Sequence, residues 1–110
     1  MNRDEVFLQH IRDEIQFLEN QTRSLKFEEL QSDPVLQRAV LRSLEIIGEA
    51  SKNISTEFKN TNPQIEWKKA AGLRDKLIHH YFGVEWSIVW NVICNELPGM
   101  GRKIEAILNH

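Results

Sequence analysis

Three observations in the sequence predict an all-α fold. Apolar residues recur at steps of three and four along most of the chain, and no stretch alternates at period two for long enough to make a strand. The breaks between the apolar stripes also carry helix signals, above all Asp33-Pro34, an N-cap followed by proline at the first helical position. The expected architecture is an antiparallel bundle of about five helices, with residues 1–110 forming one domain.

The first helix is expected from Asp4 to Leu25, where Phe7, Ile11, Ile15, Leu18 and Leu25 form one stripe and charges fill the other face. Residues 26–32 read as a turn-rich connection. The second long helix runs from Pro34 to about Asn53, with Leu36, Val40, Leu44, Ile47, Ala50 and Ile54 on one side. Gly48 lies inside it, at a cost of ~1 kcal/mol against Ala, and suggests a close helix–helix approach. Residues 55–64 are polar, contain Asn62-Pro63 and read as a loop. A short helix over Ile65 to Ala71 is stopped by Gly72, and Leu73 to His80 form a further helical stretch broken by Tyr81-Phe82-Gly83. Trp86, Trp90, Ile93 and Leu97 share a face of the next helix, Glu85 to Leu97. Pro98-Gly99 kinks or ends it, and Met100 to Leu108 complete the chain. Trp86 and Trp90 have the chemistry to stack on bases, but their alignment with Ile93 and Leu97 assigns them to the core or to a subunit interface.

Composition narrows the function. The chain has 110 residues with 14 Lys and Arg against 16 Asp and Glu, which excludes a strongly basic nucleic-acid coat and an acidic tail. The only cysteine, Cys94, excludes an internal disulfide and a cysteine-based zinc site, fits a reducing cytoplasm and is expected to be a small buried apolar residue. No signal peptide is expected from the polar N-terminus, and no apolar run approaches the ~20 residues of a membrane span. There is no glycine-rich phosphate loop, no HExxH and no nucleophile elbow.

The charge is unevenly distributed. Residues 1–62 carry eight basic and eleven acidic side chains, whereas residues 63–110 carry six and five. The window 66–80 holds Lys68, Lys69, Arg74 and Lys76 against Glu66 and Asp75, together with His79 and His80. An RNA phosphate finds its best partners there. Arg74 has the chemistry to grip a phosphate and stabilise its developing charge. A histidine titrates near neutrality, so His79 suits proton transfer at a ribose 2′-OH or a leaving 5′-oxygen. On one ideal helix the two lie about 140° apart, so they converge only through a wrapped arginine, a distorted helix or a second subunit. Asp75 and His79, four apart, share a face. Taken alone, this spacing also fits surface charges on a helix, and His79-His80-Tyr81 also fits a helix end with a core tyrosine. Glu45 and Glu49 read as a solvated face paired with Arg42 or Lys52, with a weaker alternative in which Glu49 orients Arg74.

The string Arg74-Asp75-Lys76-Leu77-Ile78-His79-His80-Tyr81 has the pattern R-x4-H-x-Y and resembles the HepT branch of the HEPN superfamily. The resemblance extends over residues 40–50, Trp67 through Leu73, Val84, Val89-Trp90 and Leu97-Pro98, and so over most of the chain. It implies a HEPN-type helical bundle that dimerises, with the motifs of two subunits meeting in a cleft to make a metal-independent endoribonuclease without a cofactor. Such proteins are toxins. Their antitoxin is an MntA-type minimal nucleotidyltransferase that uses ATP and Mg2+ to place AMP on the motif tyrosine. Carried over, Arg74 and His79 are catalytic, Asp75 supports the arginine, and Tyr81 accepts AMP, while His80 has no assigned role. A non-enzymatic alternative makes the chain a helical binding partner of such a nucleotidyltransferase.

Overall fold

The structure is a computed structural model and describes residues 2–73, 75 and 83–109. Two long helices organise it. Helix α1, Arg3–Thr22, starts where the Asn2 side chain accepts the Glu5 N–H at 2.8 Å, with Asp4 and Glu5 in the positive first turn. Its buried stripe is Leu8, Ile11, Ile15, Leu18 and Thr22. Leu8 therefore takes the core position expected of Phe7, which is only partly buried, and the helix ends short of Leu25. Helix α3, Pro34–Asn53, has the expected limits. One Asp33 oxygen accepts from both Val35 N and Leu36 N at 3.1 Å, satisfying two donors that the helix itself leaves unpaired.

The two helices are antiparallel. Ser55 donates to the Asp4 carboxylate through its backbone N–H (2.8 Å) and its hydroxyl (2.7 Å), and Ser43 donates to Glu14 at 2.7 Å. As position numbers rise along α1, their partners fall along α3. The Ser43 bond also satisfies a nearly fully buried hydroxyl that would otherwise be costly.

Two segments expected to be irregular are short helices. Helix α2, Phe27–Ser32, sits in the expected turn region, with its start held by Lys26 N–H donating to Glu29 Oε1 at 3.1 Å and Leu30 fully buried. Helix α4, Thr56–Thr61, occupies most of the expected loop, capped by the Ser55 hydroxyl, which accepts from Phe58 N at 3.1 Å. Each is a six-residue element, too short to show a helical period, and each is fixed by one anchor. For α4 that anchor is Phe58, whose ring lies 6.0 Å from Trp67.

Helix α5, Trp67–Ala71, packs on α3 and is closed by Gly72. Helix α6, Trp86–Asn91, continues through a π-helical turn, Val92–Glu96, into α7, Leu97–Leu108. Leu97 N–H bonds to Val92 O, a five-residue step. Pro98, at the start of α7, has no N–H to give and its ring crowds the preceding turn; the wide turn accommodates it, so the expected break becomes a change of pitch. Helix α7 is antiparallel to α1, with Arg12 against Glu105 (3.5 Å) and Gly101 against Ile15. A Cβ at position 101 would lie 3.1 Å from Ile15 Cγ2. The described residues thus form an all-helical bundle in which α1 lies between α3 and α7. No helix among the described residues is long and apolar enough to cross a membrane.

Candidate functional site

Helix α5 leads into the motif. Trp67 anchors its start, nearly buried, and donates from Nε1 to Asn62 O at 2.9 Å. Leu73, two residues past the end of α5, is buried in the core. Arg74, His79, His80 and Tyr81 lie outside the described residues, as do the expected Arg74–His79 convergence and the Asp75–His79 pair.

Asp75 is described, exposed, and within 3.8 Å of Lys52 Nζ from the last turn of α3. The sequence suggests Lys52 as a partner of Glu45 or Glu49 on its own helix. Arg42 does pair with Glu45 at 3.3 Å, but Lys52 also reaches across to the motif, a contact that helical spacing cannot reveal. The carboxylate next to the candidate arginine is thereby tied to a long, well-capped helix. Gly83 has φ 151°, a backbone conformation that only glycine adopts without strain, and this agrees with the expected break in the helical pattern at that point.

The basic window is partly neutralised from within. Lys69 contacts Glu66 at 3.8 Å and forms a close pair with Glu96. The hydrogen bond to Glu96, and then its charge, raise the Lys69 ammonium above its ordinary value. Lys103 donates to Gln64 O at 2.7 Å. These two contacts join α5 and the segment before it to the π-turn and α7. Between them lies a cavity of about 250 Å³ with Leu73, Leu97 and Met100 among its apolar walls and Asn95, Glu96 and Lys103 on its polar side. On the α7 side Leu97, Gly99 and Met100 are read from the sequence only as helix-face and helix-break residues, and no spacing marks them as walls of a cavity.

One expectation for this segment is corrected. Cys94 is exposed rather than buried. The π-turn puts Val92 and Ile93 in the core and turns the next side chain outward. Partial burial of the thiol still pushes its pKa up, which makes it a poor nucleophile at neutral pH. The core stripe is Val89, Val92, Ile93 and Leu97, while Trp86 and Trp90 are half-buried against it, Trp90 with its ring 6.1 Å from Phe27.

The architecture is that of an all-helical bundle whose α5 segment leads into a basic, histidine-containing string. A family model described as "Ribonuclease HepT-like" matches residues 11–107, and the chain belongs to this HepT-like family of the HEPN superfamily. It is 47% identical over 102 residues to a protein of Caldanaerobacter subterraneus subsp. tengcongensis named "Putative RNase", covering 93% of this chain and 91% of that one. It is 44% identical over 101 residues to the "Probable ribonuclease HepT" of Thermococcus cleftensis, covering 92% of each. No solved structure matches the chain significantly.

Proposed function

We propose that the chain is a metal-independent endoribonuclease, the toxin of a two-protein toxin–antitoxin system, silenced when an MntA-type nucleotidyltransferase adenylylates Tyr81. The observation that carries this reading is the R-x4-H-x-Y string at 74–81, which lies within the stretch matching the HepT-like family. The names of the two relatives support RNA as the substrate.

In this mechanism two copies in the cytoplasm, each a single domain of residues 1–110, bring their motifs to a shared cleft. Dimerisation removes the difficulty that Arg74 and His79 diverge on one ideal helix. Arg74 holds the non-bridging phosphate oxygens as charge develops. His79 of one copy removes the proton of the ribose 2′-OH, whose oxygen attacks the adjacent phosphorus. The bond from phosphorus to the 5′-oxygen breaks, and His79 of the second copy protonates the leaving oxygen. The products are a 2′,3′-cyclic phosphate and a 5′-hydroxyl end. Asp75, which pairs with Lys52 at 3.8 Å, supports Arg74. No cofactor takes part. In silencing, the Tyr81 phenol oxygen attacks the α-phosphorus of ATP and loses its proton, and pyrophosphate leaves; ATP and Mg2+ belong to the partner enzyme. The added phosphodiester charge and adenosine then compete with RNA for the cationic site.

The test is RNA digestion by wild type, Arg74→Ala and His79→Ala. Cleavage should persist in EDTA, spare DNA and leave cyclic phosphate ends, and His79→Ala should lose ~10²–10⁴-fold while staying helical. Cleavage of DNA, abolition by EDTA, or full activity in His79→Ala overturns the mechanism.

A further inference from the structure

The cavity between α5 and the π-turn–α7 segment has Leu73 in its wall, the residue that directly precedes Arg74 in the chain. We propose that this cavity is a nucleobase subsite, which takes a base of the RNA flanking the phosphate that is cut. The inference rests on the ribonuclease reading and adds to it a site for sequence preference.

Size, chemistry and position support it. The volume of about 250 Å³ falls just below the ~300–1,000 Å³ of pockets for drug-sized ligands, which suits one base better than a whole nucleotide chain. A base is flat and apolar on its faces and polar along its edge. Leu73, Leu97 and the polarizable thioether of Met100 provide apolar wall. Asn95, Glu96 and Lys103 provide the polar side, where the Asn95 amide oxygen accepts hydrogen bonds. The Lys103 ammonium has three N–H groups, of which the Gln64 carbonyl takes one. The cavity is bounded by the Lys69–Glu96 pair and the Lys103–Gln64 bond, which hold its two walls at a fixed separation. A π-turn supplies one of those walls, and such turns recur at functional sites.

Gly99 offers a way to plug the cavity. It lies in the lining, and among the described residues a Cβ built there has within 4 Å only the Arg102 guanidinium, at 3.8 Å, the far end of a flexible side chain. Gly99→Ala is the folding control, Gly99→Phe the plug, and Met100→Ala a variant that enlarges the cavity from the opposite direction. Two readouts are used on the full chain. The first is cleavage of RNAs differing in the bases that flank the cut. Wild type should prefer some bases at one flanking position. Gly99→Phe should lose about tenfold in kcat/KM on the preferred RNA, which corresponds to about 1.4 kcal/mol, and show a flattened preference. Met100→Ala should shift the preference toward larger bases.

The second readout does not depend on cleavage. The chain has two methionines, Met1 and Met100, so the Met100 methyl resonance is readily assigned. Titration with AMP, GMP, CMP and UMP at millimolar concentration should move it saturably for at least one of them, and Gly99→Phe should abolish the shift. If wild type cleaves RNA but no mononucleotide moves the Met100 methyl and the plug leaves base preference intact, this inference falls and the ribonuclease reading stands. If wild type cleaves no RNA, the ribonuclease reading falls, and the RNA assignment of the cavity falls with it even where the methyl titration still finds a base site. If the plug spares RNA cleavage but blocks adenylylation by the partner, the base in the cavity is that of the transferred AMP, and the RNA assignment is overturned.

Discussion

Gly99 and Gly101 lie two residues apart on α7, yet their replacement by alanine should act in opposite directions. Alanine gains ~0.5–1 kcal/mol over glycine in a helix at either position, through backbone entropy. At 99 nothing opposes that gain, since the new methyl meets only the end of the Arg102 side chain at 3.8 Å. At 101 the methyl would lie 3.1 Å from Ile15 Cγ2, with Cδ1 and Cβ of the same residue at 3.9 and 4.0 Å. Ile15 is itself core, 2% exposed, so it has to give by a few tenths of an ångström within a packed interface. Overpacking of this kind costs ~1–3 kcal/mol. Gly99→Ala should therefore stabilise by ~0.5–1 kcal/mol and Gly101→Ala should destabilise by up to ~2 kcal/mol. At roughly 4–8 °C per kcal/mol, the two variants should differ in Tm by at least ~4 °C. The assay is thermal unfolding followed by circular dichroism, with all variants at one protein concentration because self-association would shift Tm. Ile15→Leu removes the β-branch that makes the close contact and conserves volume, so it should rescue Gly101→Ala with a coupling of ~1 kcal/mol in the double mutant. Equal stabilisation by both alanines, or strict additivity of the double mutant, would refute the close α1–α7 approach.

Asp33→Ala leaves the Val35 and Leu36 N–H groups without their shared acceptor and should cost ~1 kcal/mol, measured as a lower urea midpoint at unchanged m-value. The Cys94 thiol is exposed, but partial burial raises its pKa above that of an ordinary thiol, so the reactive thiolate is scarce at neutral pH; alkylation at pH 7 should be slower than that of a free thiol and should accelerate as pH rises, and labelling at pH 7 as fast as that of a free thiol would contradict this environment. Tyr81→Phe should retain RNA cleavage and escape silencing; a mass gain of AMP units on Tyr81→Phe, seen by intact-mass spectrometry after incubation with the partner and Mg-ATP, would put the modification elsewhere.

The sequence by itself determined the features whose cause is local. Asp33-Pro34 starts α3 where expected because a carboxylate cap and a proline without an N–H act within one helical turn. The long apolar stripes identified α1 and α3 because a helix of 20 residues repeats its pattern enough times to be read. The R-x4-H-x-Y string pointed to the HepT-like family through a resemblance that spans most of the chain. What only the tertiary structure decided depends on partners distant in sequence. Helices α2 and α4 are too short to show a period, and burial of Leu30 and the packing of Phe58 on Trp67 hold them. The π-turn before Pro98 turned Cys94 outward, against the expectation drawn from an ideal helical repeat. Gly101 is a close-packing glycine that no local pattern marks, because only the approach of α7 to Ile15 determines where a methyl no longer fits. The Lys52–Asp75 pair and the cavity beside Leu73 likewise require α3, α5 and α7 to be brought together, and no spacing within a single helix encodes that.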